Sequence, residues 1–260
     1  MRAPFARKRE LGQHFLVDEN IVRVAGRMAQ LGPDDVVLEV GPGLGVLTEY
    51  LAEHVEHVHA VEIDRSLESP LRDRLSGRGN VNLVIADALA YPLHDLEPRP
   101  TKLVSNLPYN IATPLVVESL DILSTVDLWC VMVQREVADR FFAAPATRDY
   151  GAVSVLVQLT AERTAFHPVA RTVFRPPPNV ESALVAFARV RRWGPEFATL
   201  KRLVQAAFAH RRKTMANSLE LGGYPRAPVL DAVAALGRSS DVRAEVLSPH
   251  EFIQLAAGLG

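Results

Sequence analysis

The segment Asn106–Tyr109 reads Asn-Leu-Pro-Tyr and combines hydrogen-bond acceptors, a rigid turn and an aromatic ring. The exocyclic amine of adenine is a poor nucleophile because its lone pair is delocalised into the ring. The Asn106 side-chain carbonyl and the Leu107 backbone carbonyl would accept its hydrogens and draw the nitrogen towards tetrahedral geometry. Pro108 would stiffen the turn, and Tyr109 would stack on an extruded base. The segment predicts a pocket that prepares an adenine amine for attack; a turn that simply ends a strand is the alternative.

A glycine-rich loop, Glu39–Gly45, lies between a run typical of a strand and a helical pattern. Gly41 and Gly43 let the backbone turn sharply and let a ligand approach closely. Glu62 ends the next strand pattern, where a carboxylate can accept both ribose hydroxyls of a nucleoside. The spacing Gly-x-Gly-x-Gly differs from the Gly-x-Gly-x-x-Gly of dinucleotide sites. It favours S-adenosylmethionine, which has no phosphate, over NAD, with a plain tight turn as the alternative.

Polar residues end three of the predicted strands. Asp87 follows the third strand pattern, so Glu62, Asp87 and Asn106 all fall at the carboxyl edge of a predicted parallel sheet. Open α/β sheets bind their ligands at that edge. We predict that Asp87 faces the adenine of the cofactor, and we place Ile63 and Ala88 in the same site. A helix cap is the alternative role for Asp87.

The segment Phe174–Val180 contains three consecutive prolines and is predicted to be rigid and extended. One interpretation is an edge connector that leads into the strand at 182–187. The other is that the segment holds Phe174 against the second face of the target base. The residues alone leave both interpretations open.

Strand and helix patterns alternate along most of the chain. Strands are predicted at 35–40, 55–63, 81–86, 101–105, 128–133 and 182–187, and helices at 20–31, 46–53, 66–75, 113–124, 136–142 and 152–159. We predict that Thr113 is the N-cap of its helix and Pro114 the first helical residue. This alternation predicts an α/β fold whose parallel sheet is covered on both faces.

The pattern changes near residue 190. A basic link at 189–195, punctuated by glycine and proline, is followed only by helical patterns, at 196–209, 213–219, 229–236 and 249–257. We therefore predict two domains, with the sheet in residues 1–191 and a smaller all-helical domain in residues 192–260.

The composition is that of a folded globular protein. The chain has 260 residues, is 48% hydrophobic and 23% charged, and has a formal net charge of −1. These values exclude a wholly disordered or fibrous chain. The one cysteine, Cys130, excludes an internal disulfide and a cysteine-based metal site, and the histidines show no metal-ligand spacing. With no apolar run of about 18 residues and no secretory signal, we expect a cytoplasmic location, no membrane partner and no metal.

Basic residues are concentrated in two segments, 1–17 and 189–213, on an otherwise acidic chain. Such an asymmetry is typical of a localised polyanion contact, although two solvated faces would look the same. The residues that we predict to bind RNA are Arg7, Lys8, Arg9, Arg211, Arg212 and Lys213.

Several motifs together resemble a known family. They are RELGQHFL at 9–16, EVGPGLG at 39–45, VEID at 61–64, NLPYN at 106–110, QREVADR at 134–140, DYGAVSVLVQ at 149–158 and FRPPPNVESALV at 174–185. In order and spacing they resemble the rRNA adenine N6,N6-dimethyltransferases over nearly the whole chain. The segments at 207–219 and 243–245, and the leucine of NLPY, are similar to the KsgA type, which acts on the small ribosomal subunit.

The resemblance implies a Rossmann-like class I methyltransferase domain that uses S-adenosylmethionine. It implies a base pocket at Asn106–Tyr109 and cofactor contacts at His14, Leu16, Gly41, Glu62, Asp87 and Asn106. We further predict cofactor contacts at Gln13, Glu39, Gly43, Ile63 and Ala88. His14 stands where the family more often has asparagine. The implied substrate is a pair of adjacent adenosines in the hairpin near the 3′ end of small-subunit rRNA, in a 30S precursor, with each base receiving two methyl groups.

Three other functions are considered. An Erm-type enzyme would perform the same chemistry on large-subunit RNA and confer macrolide resistance. A non-catalytic ribosome assembly factor would keep the fold for RNA docking alone. A nicotinamide dehydrogenase would need the dinucleotide glycine spacing, which is absent here. We expect a monomer.

Overall fold

The computed structural model describes residues 14–259, which form two compact units. The first unit contains the chain up to Ala138 together with Arg163–Arg189, and the second contains Asp139–Glu162 and the chain from Val190 onward. The boundary near residue 190 coincides with the predicted basic link. Residues 139–162 differ from the prediction, since they group with the C-terminal helices rather than with the sheet.

The first unit is built on a mostly parallel sheet. The strands are β1 (Phe15–Leu16), β2 (Val36–Val40), β3 (His57–Glu62), β4 (Val81–Ile85), β5 (Lys102–Asn106), β6 (Leu128–Gln134), β7 (Ala161–Val169), β8 (Phe174–Arg175) and β9 (Ser182–Arg189). Seven of them form one sheet in the order β4-β3-β2-β5-β6-β9-β7, with parallel pairs from β4 to β6 and an antiparallel β6–β9 pair. The predicted α/β, Rossmann-like fold class is confirmed.

Helices cover the sheet and fill the second unit. They are α1 (Glu19–Met28), α2 (Val46–Ala52), α3 (Glu68–Arg74), α4 (Ala112–Ile122), α5 (Arg135–Phe141), α6 (Ala152–Thr160), α7 (Glu196–Phe208), α8 (Met215–Leu221), α9 (Arg226–Ala235) and α10 (Pro249–Leu259). In the second unit, α6 packs against α7 and α10. That packing explains why residues 139–162 belong there. Among residues 14–259, no helix is long and apolar enough to cross a membrane.

Two adjacent residues of β6 show that helices lie on both faces of the sheet. The Trp129 indole donates a hydrogen bond to the Ser119 hydroxyl on α4, at 2.9 Å. The Cys130 thiol contacts the Ala25 carbonyl on α1, at 3.6 Å. Successive strand residues point to opposite faces, so α1 and α4 cover opposite sides. Cys130 is fully buried, as predicted for a core residue.

The start of α4 differs from the prediction. The helix begins at Ala112, and Ile111 occupies the cap position without a side-chain hydrogen bond, so Thr113 is not the N-cap. Pro114 is then the third helical residue. Its missing N–H costs nothing there because the first turn has no helical acceptors for its N–H groups.

Strand β7 was not among the strands predicted from the sequence. Its residues 161–169 carry a proline, Pro168, and show no clear alternation of polar and apolar types. β7 stands at the end of the sheet order, and proline is tolerated in edge strands, where one row of backbone groups has no partner strand.

Asp18 is the N-cap of α1, and its substitution tests that capping role. Its carboxylate accepts hydrogen bonds from the Asn20 and Ile21 N–H groups, at 2.8 and 3.3 Å. We expect Asp18→Ala to lower the free energy of unfolding by about 1 kcal/mol, as loss of an N-cap does. Urea denaturation measures the change. The control is Asp34→Ala, which removes an exposed aspartate that caps no helix; equal losses in both variants would contradict the capping role.

Candidate functional site

One cavity lies in the first unit at the carboxyl ends of β2, β3, β4 and β5. Parallel pairing brings these strand ends to one edge of the sheet, where α/β folds bind ligands. The structure brings together around it thirteen residues that the sequence singled out: His14, Leu16, Glu39, Gly41, Gly43, Glu62, Ile63, Asp87, Ala88, Asn106, Leu107, Pro108 and Tyr109. Gln13 lies outside the described residues.

Glycine is required at two positions of the loop that follows β2. Gly41 has φ 76°, and a Cβ there would lie 3.0 Å from the Pro108 ring. Gly43 has φ 58°, and a Cβ there would lie 3.0 Å from the Phe15 ring. Both values of φ are in the left-handed region that glycine adopts without steric cost. The loop therefore stays close to the Asn106–Tyr109 turn and to the β1 segment.

Glu62, at the end of β3, is anchored by the backbone. Its carboxylate accepts hydrogen bonds from the Gly43 N–H at 3.1 Å and the Asp64 N–H at 2.8 Å. Burial raises the pKa of Glu62, while these two hydrogen bonds act in the opposite direction. Each carboxylate oxygen keeps a lone pair for a further donor, such as a ribose hydroxyl.

Glu39 is a second buried carboxyl in the cavity wall, and it is only 1% exposed. Its Oε2 atom has no hydrogen-bond partner among the described residues. Burial, together with the charge on Glu62, raises the pKa of Glu39 to about 8. At neutral pH the Glu39 carboxyl is therefore mostly protonated and can donate a hydrogen bond as well as accept one.

The side chain of Asn106 has a defined orientation. Its Nδ2 group donates to the His14 carbonyl at 3.2 Å. Because a carbonyl can only accept, this contact assigns the two ends of the amide and leaves Oδ1 as an acceptor at the other end. The following residue is held too, since the Leu107 N–H donates to the Met132 carbonyl at 3.0 Å.

Tyr109 is restrained at its ring face and at its hydroxyl. The His14 imidazole stacks against the ring with centroids 5.5 Å apart and planes at 27°. The phenol forms a 2.7 Å hydrogen bond with the Ser182 hydroxyl. Burial raises the pKa of Tyr109, so the phenol is neutral at physiological pH. Ser182 was not predicted as a site residue, because no local pattern around it indicates this contact.

The contacts of His14 explain why a histidine is compatible with this position. Its backbone carbonyl binds Asn106, a contact that is independent of residue type. Its Nδ1 atom lies 2.9 Å from the Pro176 carbonyl, so Nδ1 carries the proton of this hydrogen bond. The side chain thus joins the β1 segment to the proline-rich segment after β8.

Phe174 lies in the hydrophobic core. It is 1% exposed, belongs to the same buried cluster as Leu16, and pairs with Leu16 across the β1–β8 ladder. It does not line the cavity. This placement supports the connector interpretation, because stacking on a base would require the ring to leave that cluster.

The predicted basic residues of the second unit have different environments. Arg211 donates to the Arg148 and Tyr150 carbonyls, at 3.0 and 3.1 Å, and so holds the loop before α6. Arg212 lines a shallow pocket with Arg148 and Arg243, two arginines that are not among the predicted RNA-binding residues. Lys213 is exposed. Arg7, Lys8 and Arg9 lie outside the described residues.

Comparison with known proteins identifies the family. The profile of the family described as ribosomal RNA adenine dimethylase matches residues 5–245. The chain belongs to that family. Ribosomal RNA small subunit methyltransferase A of Rubrobacter xylanophilus is 46% identical over 254 residues, covering 98% of this chain and 95% of the relative. The protein of that name from Moorella thermoacetica is 40% identical over 265 residues, covering 97% of this chain and 92% of the relative.

Solved structures agree with this membership. A dimethyladenosine transferase from Plasmodium falciparum superposes with a TM-score of 0.76 at 25% identity, covering 93% of this chain and 96% of that chain. The 23S rRNA methyltransferase ErmE superposes with a TM-score of 0.66 at 30% identity, covering 94% of this chain and 99% of that chain. S-adenosylmethionine is the cofactor of the dimethylase family. The cavity fits it, since bare glycine backbone, an anchored carboxylate and the 47% exposed Ile63 line one space.

The raised pKa of Glu39 predicts a pH dependence of stability. A buried carboxyl with a pKa near 8, against 4.5 when exposed, releases its proton on unfolding at intermediate pH. The stability contributed by neutral Glu39 is complete below about pH 4.5 and is lost as the pH rises through about 8. We therefore expect the melting temperature of the ligand-free protein to fall across this range, and to fall less in Glu39→Gln.

Differential scanning fluorimetry across that pH range measures the effect. Glu162→Gln, which neutralises an exposed glutamate, serves as the control and should follow the unmodified protein. If Glu39→Gln lost as much stability with rising pH as the unmodified protein does, the raised pKa would be contradicted.

Proposed function

We propose that this dimethylase transfers methyl groups from S-adenosylmethionine to N6 of two adjacent adenosines in the 3′-terminal hairpin of small-subunit rRNA, during small-subunit biogenesis. The observation that carries the proposal is the oriented amide of Asn106, beside the Leu107–Tyr109 turn and in the same cavity as the glycine loop. The names of the relatives from Rubrobacter xylanophilus and Moorella thermoacetica support the small subunit as the substrate.

When bound, S-adenosylmethionine supplies a methyl group already activated by its positive sulfur. Gly41 and Gly43 would present bare backbone to it, Glu62 would accept hydrogen bonds from its ribose, and Ile63 would pack on its adenine. One Asp87 oxygen accepts the Leu89 N–H at 2.9 Å, which restrains the carboxylate, and its other oxygen would accept a hydrogen bond from the adenine amine.

Asn106 and Leu107 prepare the target amine. The Asn106 Oδ1 atom accepts one N6 hydrogen, because Nδ2 is committed to His14. The Leu107 carbonyl accepts the other, and the Pro108 ring restricts the backbone on its far side. These acceptors favour a tetrahedral nitrogen, whose lone pair would bond to the methyl carbon as the carbon–sulfur bond breaks and the neutral thioether leaves. The nitrogen loses its proton after that bond forms, so alignment matters more than a strong base.

Tyr109 supplies the stacking platform for the base. A base inside a duplex cannot reach the cavity, so the target must be an adenosine that can swing out of a loop. The ring is neutral and held at two points, so it can stack on the base without reorganisation. Aromatic stacking contributes about 1–3 kcal/mol per base.

RNA backbone is held by the pocket of the second unit that Arg148, Arg211, Arg212 and Arg243 line together with one acidic residue, Glu245. Arg212 and Arg243 are exposed, and neither forms an ion pair within residues 14–259. Phosphate contacts of this kind position the RNA without reading its sequence. Arg211 contributes indirectly by holding the Arg148 backbone, and Arg7, Lys8 and Arg9 remain predicted RNA contacts.

Methyl transfer to ribosomal particles tests the proposal. Small subunits lacking the modification and free large-subunit RNA are each incubated with labelled S-adenosylmethionine, and mass spectrometry locates the products. We expect dimethyladenosine at adjacent positions of the small-subunit RNA. Label on the large-subunit RNA instead would identify the Erm-type activity that the ErmE likeness suggests. Absence of label on either RNA would favour a non-catalytic assembly factor.

The same assay tests Asn106. We expect Asn106→Ala to lower kcat by about 100-fold or more, as loss of one preorganised transition-state contact does. The matched control is Asn82→Ala, which removes an asparagine bonded to His59 outside the cavity and should keep its activity. Normal turnover by a folded Asn106→Ala variant would refute the proposed role.

Removing a phosphate contact should change the salt dependence of RNA binding. We expect Arg212→Ala to weaken binding and to reduce the slope of log K against log salt by about 1. Arg226→Ala is the control, because Arg226 is already paired with Glu220 at 3.1 Å. Filter binding over a series of salt concentrations gives both slopes. Equal slopes for Arg212→Ala and the unmodified protein would exclude this contact.

A further inference from the structure

Ser182 lies at the first position of β9 and is 1% exposed. Its hydroxyl oxygen is 2.7 Å from the Tyr109 phenol oxygen. That is the one hydrogen bond of the phenol among the described residues. A buried serine hydroxyl has lost its water contacts, so its bond to Tyr109 satisfies a group that would otherwise destabilise the fold.

The bond determines where the Tyr109 ring stands. A tyrosine side chain has two soft torsions, and two contacts are needed to restrain both. His14 contacts the face of the ring and Ser182 contacts its tip. Without Ser182, the ring could tilt on the imidazole and move relative to the Asn106 amide.

Strand β6 holds both partners of this bond. Ser182 pairs with Gln134 across the β6–β9 ladder. On the other side of β6, Asn106 pairs with Met132, whose carbonyl accepts the Leu107 N–H at 3.0 Å. The serine and the turn that carries Tyr109 are thus attached to the same strand. The distance between them depends on sheet geometry, which is rigid, rather than on a free loop.

We propose that Ser182 is a positioning residue for methyl transfer, which acts by holding the Tyr109 ring at the angle where it aligns the target base. The inference rests on the proposed function. Small displacements of a reacting group reduce rates strongly, so the loss of one restraint should lower kcat more than it lowers cofactor affinity.

The first experiment compares two matched serine variants in the small-subunit assay. Ser182→Ala should lower kcat by about tenfold, which corresponds to one hydrogen bond, while the Kd for S-adenosylmethionine is unchanged. Ser119, on α4, is equally buried, and its hydroxyl accepts a hydrogen bond from the Trp129 N–H at 2.9 Å. Ser119→Ala removes that hydroxyl. It should lower the melting temperature and leave kcat unchanged. Equal kcat in the two folded variants would overturn the proposal.

The second experiment asks whether Ser182 acts through the phenol. Tyr109→Phe removes the hydroxyl but keeps the ring. If the two residues act together, Ser182→Ala causes no further loss of kcat when Tyr109 is already phenylalanine. A full additional tenfold loss in the double variant would show that Ser182 acts elsewhere in the fold. Failure of the unmodified protein to methylate any RNA would instead refute the proposed function, so the two failures are distinguishable.

Discussion

The hydrogen bond from the Asn106 amide to the His14 carbonyl is the contact on which the site depends. An unrestrained amide would turn either its acceptor or its donor towards the base, and only the acceptor can prepare an amine. The bond requires the residue-14 segment to lie against the end of β5. The antiparallel β1–β8 pair and the His14–Pro176 hydrogen bond hold it there. Short, poorly patterned elements far apart in sequence therefore control the orientation of the amide that we propose acts on the substrate.

Two acidic side chains lie at the carboxyl edge of the sheet, where their burial disfavours the charged form of each. Glu39 and Glu62 are almost fully buried beside one another, and burial raises the pKa of both. Functional sites commonly depart in this way from the rules that stabilise the rest of a fold. The backbone N–H groups of Gly43 and Asp64 offset part of the cost for Glu62, while Glu39 is accommodated by remaining protonated. The apolar core between the sheet and its helices provides the stability that such a site requires.

Local patterns were sufficient for most of the architecture. The alternation of strand and helix runs predicted the parallel sheet, because each run must bury one face or stripe. Predictions failed where a local preference competed with packing. Thr113 is a good cap residue, yet α4 begins at Ala112 with Ile111 in the cap position. β7 is a strand despite Pro168 because it stands at the sheet edge. Residues 139–162, which run up to and into the start of β7, group with the second unit, and no periodicity within that segment indicates this.

Residue types and short spacings predict the chemistry of the site, through the acceptors and ring of Asn106–Tyr109 and the glycine loop. How those groups face one another depends on contacts between distant parts of the chain. Asn106 is oriented by a residue 92 positions away, and Tyr109 by one 73 positions away. Short-range periodicity reports which face of an element is buried, but it carries no information about which distant side chain meets it. Such pairings arise only when strands from different parts of the chain align in one sheet.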